Sequence, residues 1–442
     1  MSFPELPNPI TWTQGDTLTE SRLRADPGNL AWLLTRRPLF LGEQATAAQS
    51  VPSGSDTGIH MDTEIVDNWN GHIIPDADYS VPLAGWYLCE GTAVITGTST
   101  AGIYCAGIIR TANSVTSSLL GNILCGNGAD VQGPSCADLV QLNPGTEDTV
   151  ALIAYQTTGS PQDLATPGGW FSVQWAGLPT SISGYTGPVG QVVTSPQPAA
   201  AWPPGSGTLL TAGVSAGGSV ITVANTAGMI ENGTLGLDYY LGRPVTRTAE
   251  AVTISGVSGG TVTTSPAAYP HGGTVTPGYV SVPVSAAWMN QQVRDIINFL
   301  AYPPMVRLSS YNSTQGIPSQ SFPAATAITF KSATIDNFSG WNGTSEWVVP
   351  VSGVYYVYGQ VALAQTNLNL GAGIGVSGGT IQWGDQIRSQ TSLISCATVR
   401  KTMRLTAGQY LQLFAWQSSS GTVDLLADTN AYSTMIAIWR GF

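Results

Sequence analysis

"TIDNFSGWNG" at residues 334–343 restates, with small changes, "EIVDNWNG" at 64–71. If the likeness is chance, the chain is one long string of strands; if it is duplication, one folding unit is written twice. Further pairs settle the matter. "VPLAGWYLCEG" (81–91) aligns with "VPVSGVYYVYG" (349–359), "IAYQTTG" (153–159) with "FAWQSSSG" (414–421), and "VQWAG" (173–177) with "AIWRG" (437–441). Cys136-Ala137 aligns with Cys396-Ala397. The offset drifts from 269 residues at Asp67/Asp336 to 264 at Trp175/Trp439 while the order is kept. Loop insertions in a shared fold leave that trace, so the repeat is a duplication.

Each unit reads as strands. "GVYYVYGQVALA" (353–364), "ATVRKTMRL" (397–405), "QYLQLFAWQ" (409–417) and "YSTMIAIWRGF" (432–442) are β-branched and aromatic runs close to period two, parted by Gly, Ser and Asn turns. Many short strands at turn-punctuated intervals predict an all-β sandwich or jelly roll rather than βαβ units. Upstream of each unit a short helix is expected. Ser285 caps a stripe of Met289, Val293, Ile296 and Leu300, closed by Tyr302-Pro303-Pro304. Asp26-Pro27 opens a second stripe at Leu30, Leu33 and Leu34, ended by Pro38. Either stripe suits a coiled-coil seam or packing on the neighbouring sandwich.

Composition bounds the function. The 442 residues suit two to four domains. Charged residues are 9% of the chain, far below the usual quarter or so, while 43% are hydrophobic, so the chain folds behind a neutral polar surface. Net charge is −11 and no basic stripe exists beyond Arg36-Arg37 and Arg400-Lys401, which excludes nucleic acid as a partner. The opening "MSFPELPNPITWTQGD" lacks a basic region and an apolar core, and no apolar run reaches bilayer length. A soluble protein made in the cytoplasm, with no membrane insertion, is the expectation. Cys89, Cys105, Cys125, Cys136 and Cys396 are too few and too irregular for a disulfide scaffold or zinc site and read as buried thiols. A Cys125–Cys136 bridge is the only local pairing to test.

No cofactor, metal or catalytic residue is expected. His60 and His72 flank Asp62, Glu64 and Asp67, a carboxylate–imidazole grouping, but no histidine aligns with either in the second unit, so an exposed turn is the reading. His271 in "YPHGG" is likewise read as a turn. Glu147-Asp148 and Asp76/Asp78 sit in loop-like sequence and read as solvated acids rather than a glycosidase pair. Asp424 and Asp428 lack an EF-hand pattern. Trp86, Tyr87, Tyr355, Trp416 and Trp439 fall on strands and are assigned to packing. Trp69, Trp341 and Trp383 lie nearer turns and are the candidate receptor contacts. Asn232 and Asn342 match a glycosylation acceptor.

Three resemblances follow from these residues. "WVVPVSGVYYVYGQVAL" with "VRKTMRLTAGQYLQLFAW" and "STMIAIWRGF" resembles the C1q/tumour-necrosis-factor-like jelly roll, closely over 325–442 and more loosely over 60–177, where "LNPGTEDTVALIAY" (142–155) departs from it. "AEAVTISGVSGGTVTTSPAAYPHGGTVTP" (249–277) resembles a β-module of phage tail and baseplate proteins, and "TWTQGDTLTESRLRADPGNLAWLLTRRPLF" (11–40) resembles the start of minor tail proteins from phages of actinobacteria. These imply a virion protein with an N-terminal docking arm and helix (1–39), a first jelly roll (40–178), a Pro/Gly-rich linker (179–206), a small β-domain (207–280), a helix (281–304) and a second jelly roll (305–442). The implied function is non-enzymatic: a minor tail or tail-fibre component of a tailed phage, a homotrimer whose jelly rolls stack along a threefold axis and bind a host-surface glycan or protein. The N-terminal region would meet other tail or capsid proteins, and the second jelly roll would face outward. A capsid-attached decoration or head fibre, a glycan depolymerase tailspike and a bacterial adhesin are the alternatives.

Overall fold

A computed structural model describes residues 37–179, 207–281 and 299–441, less short internal stretches such as 97–102, 126–130, 227–233, 272–278, 389–394 and 427–431. The N-terminal arm with its helix, the Pro/Gly-rich linker, Glu147, Asn232, Asp428 and nearly all of the helix before Pro303 lie outside the described residues. Leu300 is described, as part of a short helical end at 299–301. Among the described residues no helix is long and apolar enough to cross a membrane.

Eight strands build the first sandwich: β1 (Leu39–Gln44), β2 (Thr63–Asp67), β3 (Gly85–Thr96), β4 (Ile103–Ala112), β5 (Val115–Cys125), β6 (Ser135–Leu142), β7 (Thr149–Gln156) and β8 (Gln162–Gly177). Eight more build the second: β9 (Met305–Ser309), β10 (Ser332–Asp336), β11 (Gly353–Leu363), β12 (Asn369–Val376), β13 (Gln382–Arg388), β14 (Ser395–Leu405), β15 (Tyr410–Gln417) and β16 (Thr434–Gly441). One sheet of the first unit runs β6-β3-β8-β1-β2, and its counterpart runs β14-β11-β16-β9-β10. The opposing sheets run β7-β4-β5 and β15-β12-β13, each extended by a two-residue strand, Thr57–Gly58 or Thr326–Ala327. All of these pairs are antiparallel. Two antiparallel sheets with this crossing strand order, repeated in full, make both units jelly-roll sandwiches.

The register corrects one sequence alignment. Cys136 pairs with Gly91 and Val399 pairs with Gly359, so Cys136 corresponds to Val399 and not to Cys396. Cys136 points into its own core, whereas Cys396 lies on the opposite side of its strand. A two-residue identity is weaker evidence of equivalence than a hydrogen-bond ladder, because a slip along a strand changes which face a side chain serves.

Each core is apolar and closed. Phe40, Tyr87, Phe171, Val173 and Trp175 anchor the first. In both units the tryptophan before the final glycine lies over the glycine that opens the long third strand. A Cβ on Gly85 would stand 2.3 Å from Trp175 Nε1, and one on Gly353 2.2 Å from Trp439 Nε1. That contact requires glycine in "VPxxG". Two residues on, Tyr87 and Tyr355 each donate a 2.7 Å hydrogen bond to the carbonyl of Leu83 or Val351.

A separate unit contains the small β-domain. Its six strands order as Gly207–Leu209, Tyr279–Ser281, Thr234–Leu237, Glu250–Ser258, Thr261–Thr264 and Val220–Thr222 around Ile221, Leu235, Leu237, Val252, Ile254 and Val262. His271 is buried there, not in an exposed turn. It exchanges backbone hydrogen bonds with Val214, and a residue bridged on both sides is drawn into the sheet with its side chain.

Candidate functional site

The repeated Asp-Asn pair is the first candidate, and its geometry is structural. Asp67 accepts hydrogen bonds from the amides of Trp69 (3.1 Å) and His72 (2.9 Å). Asp336 accepts from the amides of Gly340 (3.0 Å) and Trp341 (2.8 Å) and from Trp347 Nε1 (3.1 Å). Each aspartate thus closes the turn that follows its own strand, the usual work of an Asx side chain. The neighbouring asparagine ties that turn to the start of the unit. Asn68 accepts from Leu39 N (2.8 Å) and donates to Arg37 O (2.7 Å), while Asn337 accepts from Met305 N (2.7 Å) and donates to Pro303 O (2.6 Å). Gln156 and Gln417 repeat the pattern at the other end, each donating to two carbonyls and accepting one amide.

The histidine–carboxylate grouping converges only in part, with His72 Nδ1 3.9 Å from the Glu64 carboxylate. His60 is exposed, and Asp62 is occupied by the amides of Ala45 and Thr46 and the Thr46 hydroxyl. His72, expected in an exposed turn, is buried: its ring stacks 4.8 Å from Phe40, with Nε2 3.0 Å from Asp76 O. Apolar contact with Phe40 draws the imidazole inward. Among the described residues no three His, Cys, Asp or Glu side chains gather as a metal site. Asp148 is buried and accepts from Asn143 N at 3.0 Å. Desolvation, reinforced by Asp76, raises the pKa of Asp78 above the ordinary carboxylate range. Asp424 sits in a two-residue strand paired with Gly316 and Ile317. Cys89, Cys105, Cys136 and Cys396 are free and buried, so Cys136 is not bridged to Cys125. Burial pushes the Cys136 thiol up to about 12.

The three candidate receptor tryptophans fall in different places. Trp69 is partly buried against the first core. Trp341 is half-buried and donates to Thr344 O at 3.1 Å. Trp383 joins other aromatic rings. It lies 5.0 Å from Phe322, which in turn lies 5.3 Å from Trp416. Phe322 and Trp416 were not read from sequence as contact residues. A signal existed in "GAGIGV" (371–376), where glycine at every second position of a strand leaves one face bare and calls for large neighbours.

The most extensive contact joins the two sandwiches. Trp86, Leu88, Ala137, Leu139 and Ala176 of the first meet Met305, Ile335, Tyr358, Ile436 and Ile438 of the second in one buried cluster. Arg307 reaches across it to Asp138 in a fork, with Nε–Oδ1 at 2.6 Å and Nη2–Oδ2 at 3.1 Å. Tyr432 OH (2.9 Å) and Thr334 Oγ1 (3.0 Å) accept from two more of its five guanidinium N–H donors. Burial alone would lower the Arg307 pKa, but the Asp138 charge, Tyr432 and the hydrogen bonds to both together outweigh it and raise the value. Tyr356 OH donates to the Glu90 carboxylate, and Arg400 donates to Cys136 O at 3.2 Å. Cys105, with Ile103 and Tyr155, packs on Ala362 and Cys396. A polar pair this enclosed is costly unless complete, so it fixes one relative placement of the two sheets.

No protein-family model and no curated protein matches the chain. Among solved structures it is similar to the globular domain of zebrafish complement 1qA protein, at 14% identity over 31% of this chain and 96% of that one, with a TM-score of 0.24. It is also similar to murine APRIL at pH 5.0, at 13% identity over 31% of this chain and 98% of that one, with a TM-score of 0.25.

Proposed function

We propose that this chain is a structural component of a tailed-phage particle, a minor tail or tail-fibre protein that presents jelly-roll surfaces to a host cell without breaking bonds in it. The observation that carries this reading is the fusion of two duplicated sandwiches into one body by a buried apolar face and the Arg307–Asp138 fork. A body locked in this way holds its loop ends and outer sheets in fixed relation, which suits multivalent contact with a repetitive surface. The neutral, polar composition and the likeness of the N-terminal stretch to minor tail proteins support the same reading.

The apolar face of the second sandwich was expected to be turned to partner subunits; the first sandwich occupies it instead. A homotrimer, which remains part of the proposal, is therefore built on surface left over, and the strip of Ile65 and Val66 beside β1 is the apolar part of it. Gold-labelled antibody against the chain should decorate the tail tip of intact particles, and the purified chain should block their adsorption to cells. Label on the head would support the decoration-protein reading. Release of reducing ends from host polysaccharide would support a depolymerase. Failure of the chain to block adsorption would overturn attachment.

A further inference from the structure

Outward positions of β12 are Gly371, Gly373 and Gly375, since Leu370, Ala372 and Ile374 point into the core. Aromatic rings from the neighbouring strands lie over these glycines. A Cβ at Gly371 would meet Trp383 and Trp416 at 3.4 Å, one at Gly373 would meet Trp383 at 3.0 Å, and one at Gly375 would meet Phe414 at 2.6 Å. The rings do not share one plane: Trp383 is inclined 48° to Phe322, and Trp416 meets Phe322 edge-on at 79°. Phe322 stands beside them 46% exposed, its loop held by Trp416 Nε1 donating to Gln320 O at 2.8 Å. Among the described side chains around the rings, the exposed groups are neutral amides and a hydroxyl: Gln382, Gln386, Asn369 and Ser418.

The corresponding face of the first sandwich carries no such floor. Cys105 stands in place of Gly371 and Tyr155 in place of Trp416, and both are covered by Ala362 and Cys396 of the second sandwich. Another sandwich cannot cover the aromatic face by repeating that contact. The repeat would set Lys401 at the Asp138 position and Leu41 at the Arg307 position, and it would set Ser172 and Gln174 where Ile436 and Ile438 supply the apolar patch.

We propose that the outer face of β12, β13 and β15 is a saccharide-binding platform, on which Trp383 and Phe322 stack against the C–H face of a neutral sugar ring while the flanking amides bond its hydroxyls. Apolar rings beside uncharged donors and acceptors match the two-sided character of a pyranose. The proposal rests on the attachment reading for its biological use, though not for its chemistry.

The test uses the full chain with dextran, mannan and galactan as probes, read by tryptophan fluorescence and calorimetry. Saturable binding to at least one is expected. Trp383→Ala and Phe322→Ala should each weaken it about tenfold. Phe322→Leu, which keeps the apolar contact and removes the ring, should weaken it too, and Val220→Ser on the exposed surface of the small β-domain should change nothing. Binding to none of the three, or binding indifferent to Phe322→Leu and Trp383→Ala, overturns the platform. Adsorption assays separate the two readings. If wild type and both alanine variants block particles equally, attachment stands and the platform falls; if wild type binds saccharide without blocking, the platform stands and attachment falls.

Discussion

The two sandwiches share a strand order and differ in what one rung of the same sheet shows to its surroundings. Across the first the rung reads Val66, Leu41, Ser172, Glu90, Ala137; across the second it reads Ile335, Arg307, Ile436, Tyr358, Arg400. Ile335 is 7% exposed and Val66 36%. The contact is offset. The first sandwich offers Leu88, Ala137 and Leu139 from the β3–β6 half, and the second offers Met305, Ile436 and Ile438 from the β9–β16 half. Beyond that contact the first sandwich shows Ser172 and Gln174, and the second shows exposed Thr402. Fold is therefore kept by the inward set of residues, while the outward set was rewritten for one partner.

Four experiments press on that difference. Asp138→Ala leaves Arg307 buried and unpaired and should cost about 3–5 kcal/mol in urea unfolding. Asp138→Leu combined with Arg307→Met should recover most of the loss, and failure to recover would place the damage elsewhere. Exchanging rung residues comes next. Ile436→Ser should cost about 2–4 kcal/mol, since it combines lost burial with a buried hydroxyl, whereas Ser172→Ile should stay within about 0.5 kcal/mol. Equal costs would mean that the two faces are equally covered. Smaller still, Asn68→Ala and Asn337→Ala should each cost about 1–2 kcal/mol and resemble one another, because both remove the same two backbone bonds. The least contrast is expected between thiols. Cys136 and Cys396 should both resist alkylation at pH 8 until the chain is unfolded, since burial raises both pKa values. A raised folded value means that the folded state holds its proton longer. For Cys136 the associated stability is complete below about pH 9 and declines as pH climbs towards about 12, which an alkaline unfolding series would show.

The duplication and the all-β class were legible because strand period and turn residues are local signals. "GVYYVYGQVALA" (353–364) encloses β11 (Gly353–Leu363) and "QYLQLFAWQ" (409–417) encloses β15 (Tyr410–Gln417). The function of Asn68 was not legible, since a side chain that bonds backbone about 30 residues away leaves no periodic trace. Nor was the joint between the sandwiches. A strand apolar on both sides, such as β16, tells that both sides are covered but not by what. Trp383 was singled out by its place near a turn, yet its neighbours were missed because the glycine run at 371–376 was not read as a floor.

Fusion of the two sandwiches has a consequence for how their joint could change. Where identical subunits meet, every substitution arrives on all copies at once, so a new arginine must suit each place it lands. Here Arg307 and Asp138 belong to separate halves of one gene product, and each could be altered alone. Linked in this way, a once symmetric surface was free to become a lock on one half and a key on the other.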